Sequence, residues 1–304
     1  MNASNPQDPL RRIRWDAFEG EMEPTPCRIC GRHDERDLAY RGKVFSIYVC
    51  AGCHLMYCSP RFTEASLLAI YENEAVTDLS VYRDWNYEKW SNMNPRSFHT
   101  ERQKVRILRQ HLAEGSSILD VGCSRGHFVF EARRQGFAAE GLEPSHLFCE
   151  IARAELKVPV TEGQLEDFHP GVCFDGLVLW DVLEHLYEPV RVTLHAARLL
   201  KPGGILLLQT PNYLGLGHRC KALLYRLGIK HDDYRHFGFP WHVYSFDRRS
   251  LTALLSKAGL TPLRFESWPR QLKDGQTGPL AGAIISASRR WRLSDYIMCV
   301  ARKG

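Results

Sequence analysis

Four cysteines near the front of the chain have a type and spacing that could do chemistry: Cys27-x2-Cys30 and Cys50-x2-Cys53, with 19 residues between the pairs. A C-x-x-C knuckle aims two thiolates at one point. Two knuckles at this separation close a tetrahedron around Zn²⁺, the spacing of a zinc ribbon. Four thiolates leave no open position on the metal, so its expected role is structural. His33, His54 and Cys58 could substitute as ligands, but the four cysteines already complete the set. A second constellation is "SILDVGCSRGHFVFEARRQGFAAEGLEPS", residues 117–145. There an apolar burst containing Asp120 enters a glycine elbow, Gly122 to Gly126, and a second apolar burst stops at a lone acid, Glu143. A third comprises His185 in "WDVLEH" and His242 in "PWHVYSF", with Tyr244 behind them. Imidazoles can take a proton near neutral pH, although Glu184 and His185 could equally cap or brace the local turn.

The elements that must position these groups follow from periodicity. "SILDVGC" is short, apolar and bounded by Gly115 and Gly122, the pattern of a buried parallel strand. "SRGHFVFEARRQG" has helical spacing and stops at Gly136, and "FAAEGLEPS" reads as the next strand. Strand, helix and strand in this order form a βαβ unit. Glycine in its first turn lets backbone approach a ligand closely, and the helix N-terminus offers free N–H groups. A carboxylate ending the second strand is placed to accept both hydroxyls of a ribose. A dinucleotide site would want G-x-G-x-x-G and a pyrophosphate at the helix end. Asp120, just before this turn, would repel a pyrophosphate and attract an ammonium group. The ligand expected here is a nucleoside with a cationic tail.

The chain has 304 residues, 44% hydrophobic and 25% charged, enough for one large domain and a small accessory module. Its net charge of +5 is too modest to indicate nucleic acid and suits a phosphorylated or acidic substrate equally well. No apolar run approaches the roughly 20 residues that span a bilayer. "MNASNPQDPLRRIRWDAFEG" lacks the apolar centre of a secretory signal, so residues 1–20 are expected to be a flexible tail. Five of the ten cysteines lie between Cys27 and Cys58, and the others are scattered, with Cys123, Cys173 and Cys299 in strand-like stretches. That usage fits a reducing cytoplasm better than a disulfide scaffold. The expected division is a ribbon over 21–62, a helical connector over 63–100 and the main domain over 101–304.

Taken with these motifs, residues 117–127 resemble motif I of the class I S-adenosylmethionine-dependent methyltransferases. The likeness continues from about Cys27 to Lys303. "FDGLVLWDVLEHLYEP" matches that family's fourth strand and catalytic edge, and "LLKPGGILLLQTPN" its helix, turn and fifth strand. "GLTPLRFES" and "SDYIMCVARKG" match the antiparallel sixth and seventh strands. The resemblance implies an α/β fold: a Rossmann-like seven-stranded sheet with helices on both faces, behind an N-terminal zinc ribbon. It also implies S-adenosylmethionine as cofactor. Asp120, Gly122, Cys123 and Gly126 would hold it at the first turn, and Glu143 with Pro144 at the ribose. Leu165 and Glu166 would lie at the adenine, and Trp180 and Asp181 would flank the methionine end. Ser124 departs from the pattern, since glycine is commoner there. The ribbon, the "TPN" and the "WHVYSF" segment together resemble a bacterial subgroup that includes sugar, polysaccharide and natural-product methyltransferases.

The Asn/Asp-Pro-Pro-Tyr segment of base-amino methyltransferases is replaced here by "WDVLEH", and the Pro-Cys of cytosine carbon-5 enzymes is missing too. The expected reaction is therefore methyl transfer to oxygen or carbon of a small-molecule or sugar-type acceptor, with His185 and His242 as candidate bases and Tyr244 behind them. One rival is an RNA methyltransferase that docks through the ribbon. Another is an inactive cofactor-binding scaffold. Residues 213–246 exceed a plain connection and hold His218, His231, His236 and His242, five Lys/Arg and two Asp. This reads as a lid whose positive balance suits a phosphorylated or nucleotide-linked acceptor, or else as an oligomer contact.

Overall fold

The computed structural model describes residues 20–42, 45–67, 97–229, 238, 242–268 and 293–304. The expected tail before Gly20, the connector from 68 to 96, and the centre of the 213–246 segment with His231 and His236 lie outside the described residues.

At the front stand five short strands, β1 (Met22–Glu23), β2 (Leu38–Tyr40), β3 (Ser46–Val49), β4 (Met56–Ser59) and β5 (Arg61–Phe62). β1 pairs with β5, and β2, β3 and β4 form an antiparallel meander. The second cysteine knuckle is the turn of the β3–β4 hairpin, closed by Cys50 N–H donating to the Leu55 carbonyl at 2.9 Å.

The main domain alternates helix and strand: α1 (Ser97–Leu108), β6 (Ser117–Val121), α2 (His127–Arg134), β7 (Ala138–Glu143), α3 (His146–Ile151), β8 (Val160–Glu162), β9 (Phe174–Trp180), α4 (Pro189–Leu199) and β10 (Leu200–Pro211). There follow α5 (Leu216–Arg226), β11 (Tyr244–Ser245), α6 (Arg248–Lys257), β12 (Leu260–Trp268) and β13 (Tyr296–Lys303). The large sheet runs β12-β13-β10-β9-β6-β7-β8. β10, β9, β6, β7 and β8 are mutually parallel, and β13 is antiparallel to both β10 and β12. Only β13 therefore opposes the sheet. The resemblance implies two antiparallel closing strands; instead α6 acts as a crossover that returns β12 in the central direction.

Side chains of this sheet alternate between two cores. On β10, Leu206 and Leu208 join the core under α4 and α6, with Val192, Ala196 and Leu254. Ile205 and Leu207 join the opposite core under α1 and α2, with Val105, Phe128 and Val129. The ribbon is not a detached bead. Its Ile29, Tyr48, Leu55 and Tyr57 belong to the same core as α4 and α6. β11, from far downstream, adds a fourth strand to its meander, with Tyr244 opposite Tyr57 and Ser245 opposite Met56.

Strand order reverses beside β6, which has β7 on one side and β9 on the other. The carboxyl ends of β6 and β9 therefore flank the crevice where open α/β sheets carry their ligands.

Candidate active site

The turn after β6 makes one wall of this crevice. Gly122, Ser124 and Gly126 all have positive φ, at 68°, 50° and 77°. A Cβ on Gly122 would lie 2.7 Å from Val182 Cγ2, and one on Gly126 2.7 Å from Val158 Cγ2. Neighbouring side chains, not only a ligand, thus demand glycine at both. Ser124 takes the left-handed conformation without being glycine, and its N–H donates to Glu143 Oε2 at 2.8 Å. Ser145 N–H donates to Oε1 at 3.0 Å. Glu143, 7% exposed, thus ends β7 with each oxygen fixed by one backbone donor and with lone pairs to spare for two hydroxyls. Burial raises its pKa while the two N–H groups pull it down. Cys123 is buried against Gly141, Leu165 is buried and Pro144 exposed, while Leu165 and Glu166 sit in the 3₁₀ turn that follows β8.

Asp120 closes the floor. It is 2% exposed, its Oδ1 has no hydrogen-bond partner among the described residues, and burial pushes its carboxyl well above the usual range against the pull of Lys104. A buried polar atom left unpartnered is costly, and a cationic ligand group would satisfy this one. Trp180, at the end of β9, has its ring under Lys104 Nζ at 4.5 Å, and its Nε1 likewise lacks a described partner. The residues present therefore fit an S-adenosylmethionine-like group. Asp120 would face its ammonium, Glu143 its ribose, and Leu165 with Glu166 its adenine.

The other wall is the turn after β9. Asp181 has φ 53° and is exposed to the crevice. Its N–H donates to the Gln209 carbonyl at 3.1 Å, and Gln209 Nε2 donates to both of its carboxylate oxygens, at 3.1 and 3.2 Å. Glu184 is fully buried. Thr210 Oγ1 donates to its Oε2 at 3.0 Å, while Oε1 has no described partner. Burial, then the nearby Asp181 charge, hold the Glu184 carboxyl well above its ordinary pKa. His185 and His242 meet edge to face, ring centroids 4.7 Å apart. One ligand atom each from Glu184, His185 and His242 lie within 4.8 Å of one another, close enough to share a proton network or a divalent ion. Val243 N–H donates to the Glu184 carbonyl at 3.0 Å and fixes His242 beside this turn.

Tyr244 is placed differently from His242. It is fully buried, and its hydroxyl accepts from Arg61 Nη1 at 2.9 Å and donates to the Tyr187 carbonyl at 3.1 Å. Burial raises its pKa further. Those contacts commit the hydroxyl to the ribbon junction and give no support to a role as base. Lys104, Gln209, Thr210 and Arg61 were missed in the sequence. The "QTPN" that ends the apolar β10 carried a signal, since polar residues closing a buried strand need partners. Lys104 and Arg61 carried none.

In the ribbon the four cysteine sulfurs converge within 4.8 Å. Cys27 and Cys53 sulfurs are 3.2 Å apart, Cys30 and Cys50 sulfurs 3.4 Å. Tetrahedral Zn–S bonds of about 2.3 Å would spread them to about 3.8 Å, so the set fits zinc with small adjustment. Gly31, following the first knuckle, has φ 76°, and the equivalent place in the second is taken by His54, φ 64°. His33 is turned toward Tyr57, His54 pairs with Asp247 and Arg249, and Cys58 packs with Phe45 and Ile47. The four cysteines make the set.

Sheet order, glycine turn and acid-ended second strand define a Rossmann-like methyltransferase fold. Residues 96–264 match the methyltransferase domain family, and the chain belongs to it. It is 30% identical over 162 residues to a ubiquinone biosynthesis O-methyltransferase of Alkalilimnicola ehrlichii, covering 49% of this chain and 65% of that one. It is 34% identical over 110 residues to a dTDP-4-amino-2,3,4,6-tetradeoxy-D-glucose N,N-dimethyltransferase of Saccharopolyspora spinosa, covering 34% and 44%. The chain thus spans less than two thirds of the length of these two relatives. A chain from the Haloferax volcanii complex of the Trm112 methyltransferase activator with a methyltransferase superposes with a TM-score of 0.51 at 17% identity, covering 70% of this chain and 92% of that one. No helix among the described residues is long and apolar enough to cross a membrane.

Proposed function

We propose that this chain transfers a methyl group from S-adenosylmethionine to oxygen or carbon of a small-molecule or sugar-type acceptor, with a structural zinc in its ribbon. The observation that carries the reading is the crevice beside β6. It joins a ribose-ready carboxylate, Glu143, and a buried acid, Asp120, one oxygen of which has no hydrogen-bond partner among the described residues, to a histidine pair on the opposite wall. Bound there, the cofactor supplies an electrophilic methyl group. Asp120 and Glu143 hold and orient it, and Lys104 over Trp180 walls the methionine end. His185 or His242 would take the acceptor's proton, and the other ring would orient it. The two relatives, named for O-methylation in ubiquinone biosynthesis and for N,N-dimethylation of a dTDP-linked amino sugar, support a small acceptor.

The test is release of S-adenosylhomocysteine from labelled cofactor against a panel of phenols, nucleotide-linked sugars and RNA. Turnover of a phenol or sugar supports the reading. Turnover of RNA alone would move the assignment to the docking-module reading. Absence of cofactor binding by calorimetry would overturn it.

A further inference from the structure

Arg61 lies where the ribbon meets the main domain and is 3% exposed. Its Nε and Nη2 both reach Glu23 Oε1, at 2.8 and 2.7 Å. Its Nη1 donates to the Tyr244 hydroxyl at 2.9 Å and to the Tyr187 carbonyl at 3.2 Å, and its guanidinium stacks 4.2 Å from the Tyr187 ring centroid. The loop closes on itself. The Tyr244 hydroxyl donates to the same Tyr187 carbonyl at 3.1 Å, and the Tyr187 hydroxyl donates to the Phe62 carbonyl, beside Arg61, at 2.9 Å.

Tyr187 follows His185 by two residues, and Tyr244 follows His242 by two. One guanidinium therefore holds both segments that bring the histidines together. β11 is further tied to β4, which leads directly from the second cysteine knuckle. Among the described residues, Val243 N–H to the Glu184 carbonyl is the direct backbone bond between the two segments near the rings. A rigid planar fork with several donors suits this role, and a lysine's single ammonium would not span the same acceptors.

We propose that Arg61 is a positioning residue: it fixes the turn after His185 and the strand after His242 to the ribbon, so that the two imidazoles face each other only while the ribbon is docked. The ribbon is then part of the active-site scaffold. That the pair acts in catalysis rests on the methyltransferase reading; the clamp itself does not.

The experiment is NMR on the full-length, zinc-loaded protein with labelled histidine, assigning His185 and His242 by single substitution and following the Overhauser contact between their rings. Calorimetric affinity for S-adenosylhomocysteine and zinc content are measured on each variant. Wild type should show the inter-ring contact. Arg61→Met and Arg61→Lys should lose it, while cofactor affinity stays within about twofold and zinc content is unchanged. Should Arg61→Met fail to fold, Arg61→Lys and Tyr244→Phe decide, the latter removing only the hydroxyl that bridges guanidinium and carbonyl. Once an acceptor is known, kcat of Arg61→Lys should fall on the order of 10²-fold with the cofactor KM unchanged, the scale of a misplaced reacting group. An inter-ring contact that persists in folded Arg61→Lys and Tyr244→Phe overturns the proposal, as does its absence from wild type. Wild-type protein that shows the contact but binds no S-adenosylhomocysteine overturns the methyltransferase reading and leaves the clamp standing.

Discussion

His185 and His242 come from distant parts of the chain, one in the 3₁₀ turn Leu183–His185 and the other just ahead of β11. They meet at 82° with ring centroids 4.7 Å apart. Either can orient the other, and Glu184 lies within ligand distance of both. Replacing the base with alanine should lower kcat by on the order of 10²–10⁴-fold and leave S-adenosylhomocysteine affinity nearly intact. The rate should fall with pH as the imidazole takes up its proton, and that limb should vanish in the variant. His185→Ala is expected to show the larger loss, because the 3₁₀ turn that carries it, braced by Thr210 on Glu184, is a firmer platform than the loop that precedes β11. Near-normal turnover in both single variants from pH 5 to about 8 would leave proximity without a base as the account.

Glu143 is expected to bind the ribose, which is common to substrate and product cofactor. Glu143→Ala should therefore weaken both by about 1.5–3 kcal/mol, the range for charge-assisted hydrogen bonds. Calorimetry with S-adenosylmethionine and S-adenosylhomocysteine reads this directly. Equal affinity in wild type and variant would place the ribose elsewhere.

Glu184 has its pKa raised by burial. In the folded protein it stays protonated at a pH where the unfolded chain has ionised it. The folded state then binds more protons, so this group's contribution to stability falls as pH rises above the unfolded value, at up to about 1.4 kcal/mol per pH unit. Glu184→Gln keeps an acceptor for Thr210 and removes the ionisation. Its melting temperature should decline less than wild type's between pH 5 and pH 8, and identical slopes in thermal melts would show Glu184 ionised in the fold.

The ribbon should hold one zinc per chain. Cys50→Ser should lose it and unfold the front strands, because site formation and folding are coupled. The β4–β11 pairing should weaken with it, since Cys50 closes the hairpin that carries β4. Elemental analysis of protein purified without chelator checks the stoichiometry, and a metal-free protein with oxidised thiols would refute the site.

Gly122→Ala is expected to cost stability by more than the roughly 1–2 kcal/mol of a left-handed non-glycine residue. Its Cβ would also press on Val182 and displace the turn that holds Asp181. Denaturant unfolding measures the loss. A variant of wild-type stability would mean that Val182 yields freely.

The parts built from neighbours in the chain were legible in the sequence. The cysteine knuckles, the strand–glycine–helix elbow and the acid that ends β7 all follow from spacing and periodicity. Each is set by local backbone geometry and by the need to bury an apolar run, and both are written in residue order. Even there the requirement for glycine at 122 had a second cause, Val182, which belongs to another turn. What the tertiary structure alone decided are the long-range meetings: Gln209 on Asp181, Thr210 on Glu184, His242 on His185, and Arg61 between Tyr187 and Tyr244. None of these has a periodic signature, because each arises where sheet order brings chain ends together and a buried polar group takes whichever partner the packing supplies. The same rule ties the Tyr244 hydroxyl to the ribbon junction. Its place in β11 aligns it with Tyr57 of β4 and with Arg61, because the ribbon sheet extends to a strand from far downstream, which no local pattern encodes.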